Sequence, residues 1–131
     1  MTLEKIKIVV VEDEPDTAEM FAEMMRLNGF VVKKVYGGTP AIALISHEIP
    51  DVVVLDVMMP DLSGLEVLRY LRRDPRLENI PVIVVSAKSL PSDIKDGLEA
   101  GANKYLTKPV AFQDLNAAVR ELIKKFINED G

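Results

Sequence analysis

Asp56 closes the apolar run Val52-Val-Val-Leu55, so a single carboxylate is delivered from the end of a segment built for burial. A charge in such a place is costly unless it is used. Two other apolar runs also end in charge: Ile6-Lys-Ile-Val-Val-Val11 leads into Glu12 and Asp13, and Tyr105-Leu-Thr107 leads into Lys108-Pro109. A fourth run, Val82-Ile-Val-Val85, ends in Ser86. If these ends share one edge, carboxylates about 4 Å apart repel by about 4 kcal/mol at an effective dielectric of about 20. Either one of them keeps a proton or a cation offsets them. Few carboxylates plus water suit Mg²⁺ better than zinc, and Lys108 adds a second, movable positive charge. With both in place the pocket holds a dianion beside Asp56, and the Ser86 hydroxyl donates to it. The chemistry this suggests is attack by the Asp56 carboxylate on an activated phosphoryl group, giving an acyl phosphate. Such a transfer depends on positioning and charge neutralisation, which a few strand-end groups can supply.

The positioning falls to an alternation of strands and helices. Apolar segments lie at about 6–11, 30–36, 52–56, 81–86 and 103–107, with helical periodicity between them. The continuous β-branched runs lack a polar alternate, as in parallel strands covered on both faces. Helical stripes are Met20, Phe21, Met24 and Leu27; Leu65, Leu68 and Leu71; and Leu115, Val119, Leu122 and Phe126. Met24-Met25 and the series Leu90, Ile94, Leu98 also read as core. Ser63 and Glu66 predict a capping box, Thr39-Pro40 an N-cap with proline at the first helical position, and Pro15 a second such start. Right-handed crossovers then give an open α/β sandwich whose ligand edge is the carboxyl end of the strands.

Composition narrows the function. A chain of 131 residues, 48% hydrophobic and 28% charged, fits one soluble domain over 1–131 with a core from about 5 to 127, and Glu129-Asp-Gly131 reads as a frayed tail. There is no apolar run of roughly 18 residues and no signal-peptide pattern after Met1, so the expected location is cytoplasmic and away from the membrane. The lack of cysteine excludes disulfides, zinc-thiolate sites and thiol catalysis. A net charge of −5 without a basic cluster argues against direct nucleic-acid binding. The single histidine, His47, falls at the end of the second helix, toward the opposite edge, and reads as a surface residue.

In order and spacing these motifs resemble the receiver domains of bacterial two-component response regulators, from about Lys5 to Phe126. The residues that carry the resemblance are Glu12-Asp13, the D-x-x-M-P-x-x-x-G motif from Asp56 to Gly64, Ser86-Ala87, Tyr105 and Lys108-Pro109. It implies a flavodoxin-like, doubly wound five-stranded parallel sheet in the order 2-1-3-4-5 with five flanking helices. It also implies that Asp56 accepts a phosphoryl group from a histidine kinase or histidine phosphotransferase. Mg²⁺ would be held by Asp13, Asp56 and the Met58 carbonyl, with Glu12 acting through water. Ser86, Lys108 and the amides of Met58 and Ala87 would bind the phosphoryl oxygens. A cis Lys108-Pro109 bond is expected. On phosphorylation Ser86 moves inward, Tyr105 follows, and the face of helix 4, strand 5 and helix 5 changes for an output domain or protein. Such a domain is a signalling element, monomeric or weakly dimeric, that catalyses only its own phosphorylation and dephosphorylation. Pro15, Asp16, Glu19 and the Pro109-Val110 loop border the expected kinase-docking surface.

Some positions depart from the commonest pattern. Glu12 stands for a more usual aspartate, and Ser86 lacks the rotamer-restricting methyl of threonine. Met58 and Lys88 carry no water-positioning amide or carboxylate, so the phosphoryl lifetime is not tuned for very fast decay. Asn103-Lys104 replaces the acidic pair of many winged-helix regulators, which weakens dimerisation through that face. Among rival functions, an FMN carrier needs a Ser/Thr/Gly-rich loop where Glu12-Asp13-Glu14-Pro15 stands. A metal-dependent aspartyl phosphatase needs a second acid where Met58 stands. A phosphorylation-independent scaffold is excluded only in part.

Overall fold

The computed structural model describes residues 6–127. Five strands, β1 (Lys7–Val11), β2 (Val31–Val35), β3 (Val52–Leu55), β4 (Val82–Ser86) and β5 (Lys104–Thr107), alternate with five helices. The helices are α1 (Pro15–Arg26), α2 (Gly38–Glu48), α3 (Gly64–Arg73), α4 (Pro91–Glu99) and α5 (Phe112–Phe126). All strand pairs are parallel and their order is β2-β1-β3-β4-β5, as expected. The segments predicted at both termini beyond 6–127, Lys5 and the Glu129-Asp-Gly131 tail, lie outside the described residues.

Alternating strand side chains build two cores. Ile8, Val10, Val54, Ile83 and Val85 pack with Phe21 and Met25 of α1 and Leu115, Val119 and Leu122 of α5. Val9, Val11, Val53, Leu55 and Val84 pack on the other face with Ile45 of α2 and Val67, Leu68 and Leu71 of α3. β3, β1 after Lys7 and β4 up to Ser86 are therefore continuously apolar because both faces are covered.

Three predicted stripes need correction. In α1 the buried positions are Ala18, Phe21, Ala22 and Met25, while Met20 and Leu27 are exposed and Met24 is only half-buried. The alanines let the helix approach the sheet closely, and a search for large apolar residues passes over them. In α4 only Gly97 is buried; Leu90 is 64% and Leu98 47% exposed, so they are surface rather than core. On α5, Phe126 is likewise exposed, whereas Leu115, Val119 and Leu122 are buried as predicted.

Helix starts show the same mixture. Ser63 and Glu66 form the expected capping box, the Ser63 amide donating to Glu66 Oε1 at 3.1 Å and the Glu66 amide to Ser63 Oγ at 3.3 Å. Pro15 opens α1 after Glu14, whose carboxylate accepts from the Asp16 amide at 2.9 Å. Thr39 is not an N-cap. α2 begins two residues before the expected Pro40, at Gly38; Gly37 (φ 98°) occupies the cap position without a side chain, and Thr39 and Pro40 lie within the first turn. The unsatisfied amides of Gly38 and Thr39 are met from a distance by Asp61, at 3.0 and 2.9 Å.

Candidate functional site

The register of the central strands brings the charged ends together. The Asp56 amide donates to the Val11 carbonyl at 3.0 Å, extending the β1–β3 ladder one step beyond β3, and the Lys108 amide donates to Ser86 O at 2.8 Å beyond β5. Glu12 and Asp56 are 2% and 5% exposed, and Ser86 is fully buried. Lys108 Nζ reaches across to Glu12 Oε1 at 2.8 Å and Asp56 Oδ2 at 3.4 Å. The other Asp56 oxygen accepts from the Met58 amide at 3.2 Å. The Lys108-Pro109 bond is cis, as expected.

One lysine thus serves two buried carboxylates, and the cluster keeps a net negative charge. Burial holds the Glu12 carboxyl above its ordinary value of 4.5, opposed by the hydrogen bonds from Lys108 and the Glu14 amide and reinforced by the field of Asp56. Burial also works against the Lys108 charge, but its bond to Glu12 and the fields of Asp56 and Glu12 outweigh it and raise its proton affinity. A carboxyl with a raised pKa in the folded state contributes stability that is complete below its unfolded value and lost as pH rises through the folded value. Glu12→Gln is therefore expected to raise the melting temperature at about pH 7.5 without divalent cations, with the gain vanishing near pH 4. Thermal melts across pH check this; an equal shift at both ends of the range would contradict it.

The donors fit a hard divalent cation. Glu12, Asp56, the exposed Asp13 and nearby backbone carbonyls are all oxygen ligands, and the surplus negative charge needs an offset. Among the described residues no group of three or more histidine, cysteine, aspartate or glutamate side chains is placed to hold a metal ion. Mg²⁺ keeps several waters and takes one or two carboxylates, and Glu12 and Asp56 are the two buried carboxylates at this edge. Asp13 does not cap α1, since Glu14 does.

The remaining predicted residues surround this cluster. Ser86 Oγ accepts from the Lys88 amide at 3.1 Å, and the Tyr105 hydroxyl donates to the Lys88 carbonyl at 2.8 Å. Burial pushes the Tyr105 phenol up, with the Ser86 hydroxyl opposing. Gly97 of α4 leaves room for the Tyr105 ring: a Cβ there would lie 2.7 Å from its Cδ2. Met58 is exposed at the mouth, and with Met59, Pro60 and Lys88 it lines a shallow cavity of about 490 Å³. A second groove of about 560 Å³ runs along α4, β5 and α5 past Ile94, Tyr105, Leu106 and Ala118. Pro15, Asp16, Glu19 and Pro109 are exposed, and His47 is a surface residue far along α2.

Two features escaped the sequence reading. Asp61 is one, and the Thr39 and Gly38 amides hold its carboxyl well below the usual carboxylate range. Arg72 is another: it donates to the carbonyls of Gly101, Glu78 and Ile80 and to Asn103 Oδ1, tying α3 to the loop before β4 and to the loop before β5. Asn103 also accepts from the Val82 amide at 2.8 Å, so this residue supports the sheet, while Lys104 pairs with Glu121 of α5 at 2.7 Å. Paired glycines without a capping side chain at 37–38 were the available signal for Asp61; nothing in the sequence marked Arg72.

A parallel 2-1-3-4-5 sheet carrying acids after β1, an aspartate ending β3 and a lysine after β5 defines the receiver class. The pattern of the response regulator receiver domain matches residues 8–120, and the chain belongs to that family. It is 40% identical over 126 residues to the response regulator MprA of Mycolicibacterium vanbaalenii, covering 96% of this chain and 54% of that protein. MprA of Mycobacterium tuberculosis is 38% identical over 125 residues, with coverage of 95% and 54%. The chain thus spans about half the length of the curated relatives it matches. Among solved structures, the Francisella response regulator 1452 receiver domain is similar at 33% identity and TM-score 0.86, covering 92% of this chain and 98% of that one. The signal receiver domain of a Syntrophus aciditrophicus signal transduction histidine kinase matches at 33% and 0.86, covering 92% of each chain. Among the described residues no helix is long and apolar enough to cross a membrane.

Proposed function

We propose that this receiver domain is a phosphoacceptor in two-component signalling, with Asp56 taking a phosphoryl group from a histidine kinase or histidine phosphotransferase. The observation that carries the reading is the trio of Glu12, Asp56 and Lys108, two buried carboxylates served by one lysine at 2.8 and 3.4 Å. An Asp56 oxygen bonds to phosphorus as the donor's P–N bond breaks, and the imidazole leaves with the electron pair and is protonated by water. Lys108 can turn from Glu12 toward the incoming oxygens, and the Ser86 hydroxyl and the Met58 and Ala87 amides add donors. Asp13, Asp56 and the Met58 carbonyl would hold Mg²⁺, Glu12 acting through water. The ion supplies charge neutralisation to the transferring group.

Movement of the Ser86 hydroxyl toward the new phosphoryl oxygens alters the space beside Tyr105. The exposed Leu90 and Leu98 and the α4–β5–α5 groove then form the surface read by an output domain or partner protein. The exposed start of α1 and the Pro109-Val110 loop form the kinase-facing side. The test is phosphorylation by phosphoramidate, a small donor with a P–N bond, with and without Mg²⁺. A Mg²⁺-dependent adduct is expected. No adduct in a folded chain that binds Mg²⁺ would favour the phosphorylation-independent scaffold. Once formed, the adduct should persist for minutes or longer, since Met58 and Lys88 place no carboxylate or amide to orient water; decay within a few seconds would contradict that.

A further inference from the structure

The segment between the acceptor and α3 is pinned at two places. Its ends are closed by the Gly64 amide, which donates to the Val57 carbonyl at 2.9 Å. Its outer corner is held by Asp61, whose two oxygens accept from the Gly38 and Thr39 amides, residues more than twenty positions upstream at the start of α2. Those amides have no other cap, because Gly37 brings no side chain. The approach is close. A Cβ at Gly38 would sit 2.5 Å from the Leu62 carbonyl oxygen, and one at Gly37 would sit 3.3 Å from Asp61 Oδ1. Met58, Met59 and Pro60 are therefore suspended between a fixed origin at Val57 and a fixed corner at Asp61.

We propose that Asp61 is a positioning residue for the phosphoryl chemistry: by docking the β3–α3 loop on α2 it fixes the backbone of Met58, the carbonyl for the cation and the amide for the phosphoryl oxygens. The role rests on the phosphoacceptor reading above. Asp61 touches no reacting atom, and it acts through the loop as supporting groups act around metal sites, where their loss weakens metal affinity about tenfold or more. A cap that served α2 alone would need no partner in this particular loop. The two paired amides also resist weakening by acid, because they keep the carboxylate ionised far below neutrality.

Three variants test this: Asp61→Ala; Asp61→Asn, which keeps one acceptor oxygen; and Ile45→Val, a truncation of a fully buried α2 residue that lowers stability while leaving the Asp61 bonds to the Gly38 and Thr39 amides in place. Mg²⁺ affinity is read by calorimetry, the Mg²⁺ dependence of adduct formation by intact mass, and loop order by amide hydrogen exchange over 57–64. Asp61→Ala is expected to raise the Mg²⁺ concentration for half-maximal binding and for half-maximal adduct by about tenfold, with faster exchange in the loop. Asp61→Asn should fall between it and wild type. Ile45→Val should lower the melting temperature and leave Mg²⁺ dependence and loop exchange unchanged. Asp61→Ala that shifts only the melting temperature, as Ile45→Val does, would overturn the positioning role. Wild type that forms no adduct would overturn the phosphoacceptor reading on which the role depends, whatever the variants do.

Discussion

Asp56→Asn is expected to abolish phosphoryl transfer and, at the same time, to make the domain more stable. The amide keeps the shape of the side chain and one acceptor oxygen, which can take the Met58 amide; Lys108, now met by the second carboxylate oxygen at 3.4 Å, keeps Glu12 at 2.8 Å as its partner. It removes the nucleophilic oxygen pair, and among the described residues no other buried carboxylate ends a strand at this edge except Glu12, which is already bonded to Lys108 at 2.8 Å. The stability gain follows from charge. The field of Asp56 is one of the causes that hold Glu12 high, so neutralising it leaves one lysine facing one buried carboxylate. Phosphorylation assays with thermal melts of the same sample check both halves. Retained adduct in the variant would move the acceptor elsewhere, and a lower melting temperature in Mg²⁺-free buffer would contradict the charge argument.

Gly64→Ala is expected to cause the largest loss of stability among glycine substitutions at the described residues. A Cβ there would lie 2.2 Å from the Asp56 carbonyl oxygen, 2.8 Å from Val57 Cα and 2.9 Å from Asp56 C. All three atoms are backbone, so no side chain can turn aside, and relief requires moving either the end of β3 or the start of α3. Forced overpacking of this kind costs about 3 kcal/mol. The displaced backbone belongs to Asp56 itself, so phosphorylation should fall with stability. Gly29→Ala is the contrast: φ is +87°, yet nothing lies within 4 Å of the added methyl. Conformational strain alone predicts about 1 kcal/mol there. Urea denaturation of both variants separates the two sources, and equal losses would count against the steric account.

The sequence carried the strands and the acceptor motif because both are local. Val52–Leu55 and Val82–Val85 are apolar without interruption, and each ends in the polar residue that matters, Asp56 and Ser86. It misled where packing depends on what is small. Ala18 and Ala22, rather than Met20 and Leu27, face the sheet from α1. On α4 the spacing of Leu90, Ile94 and Leu98 imitates a core stripe, yet the helix rests on the sheet through Gly97 against the Tyr105 ring, leaving both leucines in solvent. Contacts that join distant segments were invisible for a different reason. Asp61 meets amides more than twenty residues upstream, and Arg72 meets carbonyls whose positions only the finished fold fixes. Lys108 lies between these cases: its motif marked it as part of the site, but its preference for Glu12 over Asp56 is a matter of distances.

The most direct measurement is to locate the phosphoryl group chemically. The wild-type chain is incubated with acetyl phosphate and Mg²⁺, the product is reduced with borohydride, and the peptides containing residues 8–26 and 35–69, which carry Asp13, Asp56 and Asp61, are sequenced by mass spectrometry. An acyl phosphate on Asp56 is reduced to homoserine at that one position, in a yield that disappears when Mg²⁺ is chelated. That is the expected result. Homoserine at Asp13 or Asp61, or an adduct that forms equally well without Mg²⁺, would contradict the assignment of Asp56 as the acceptor in a metal-assisted site.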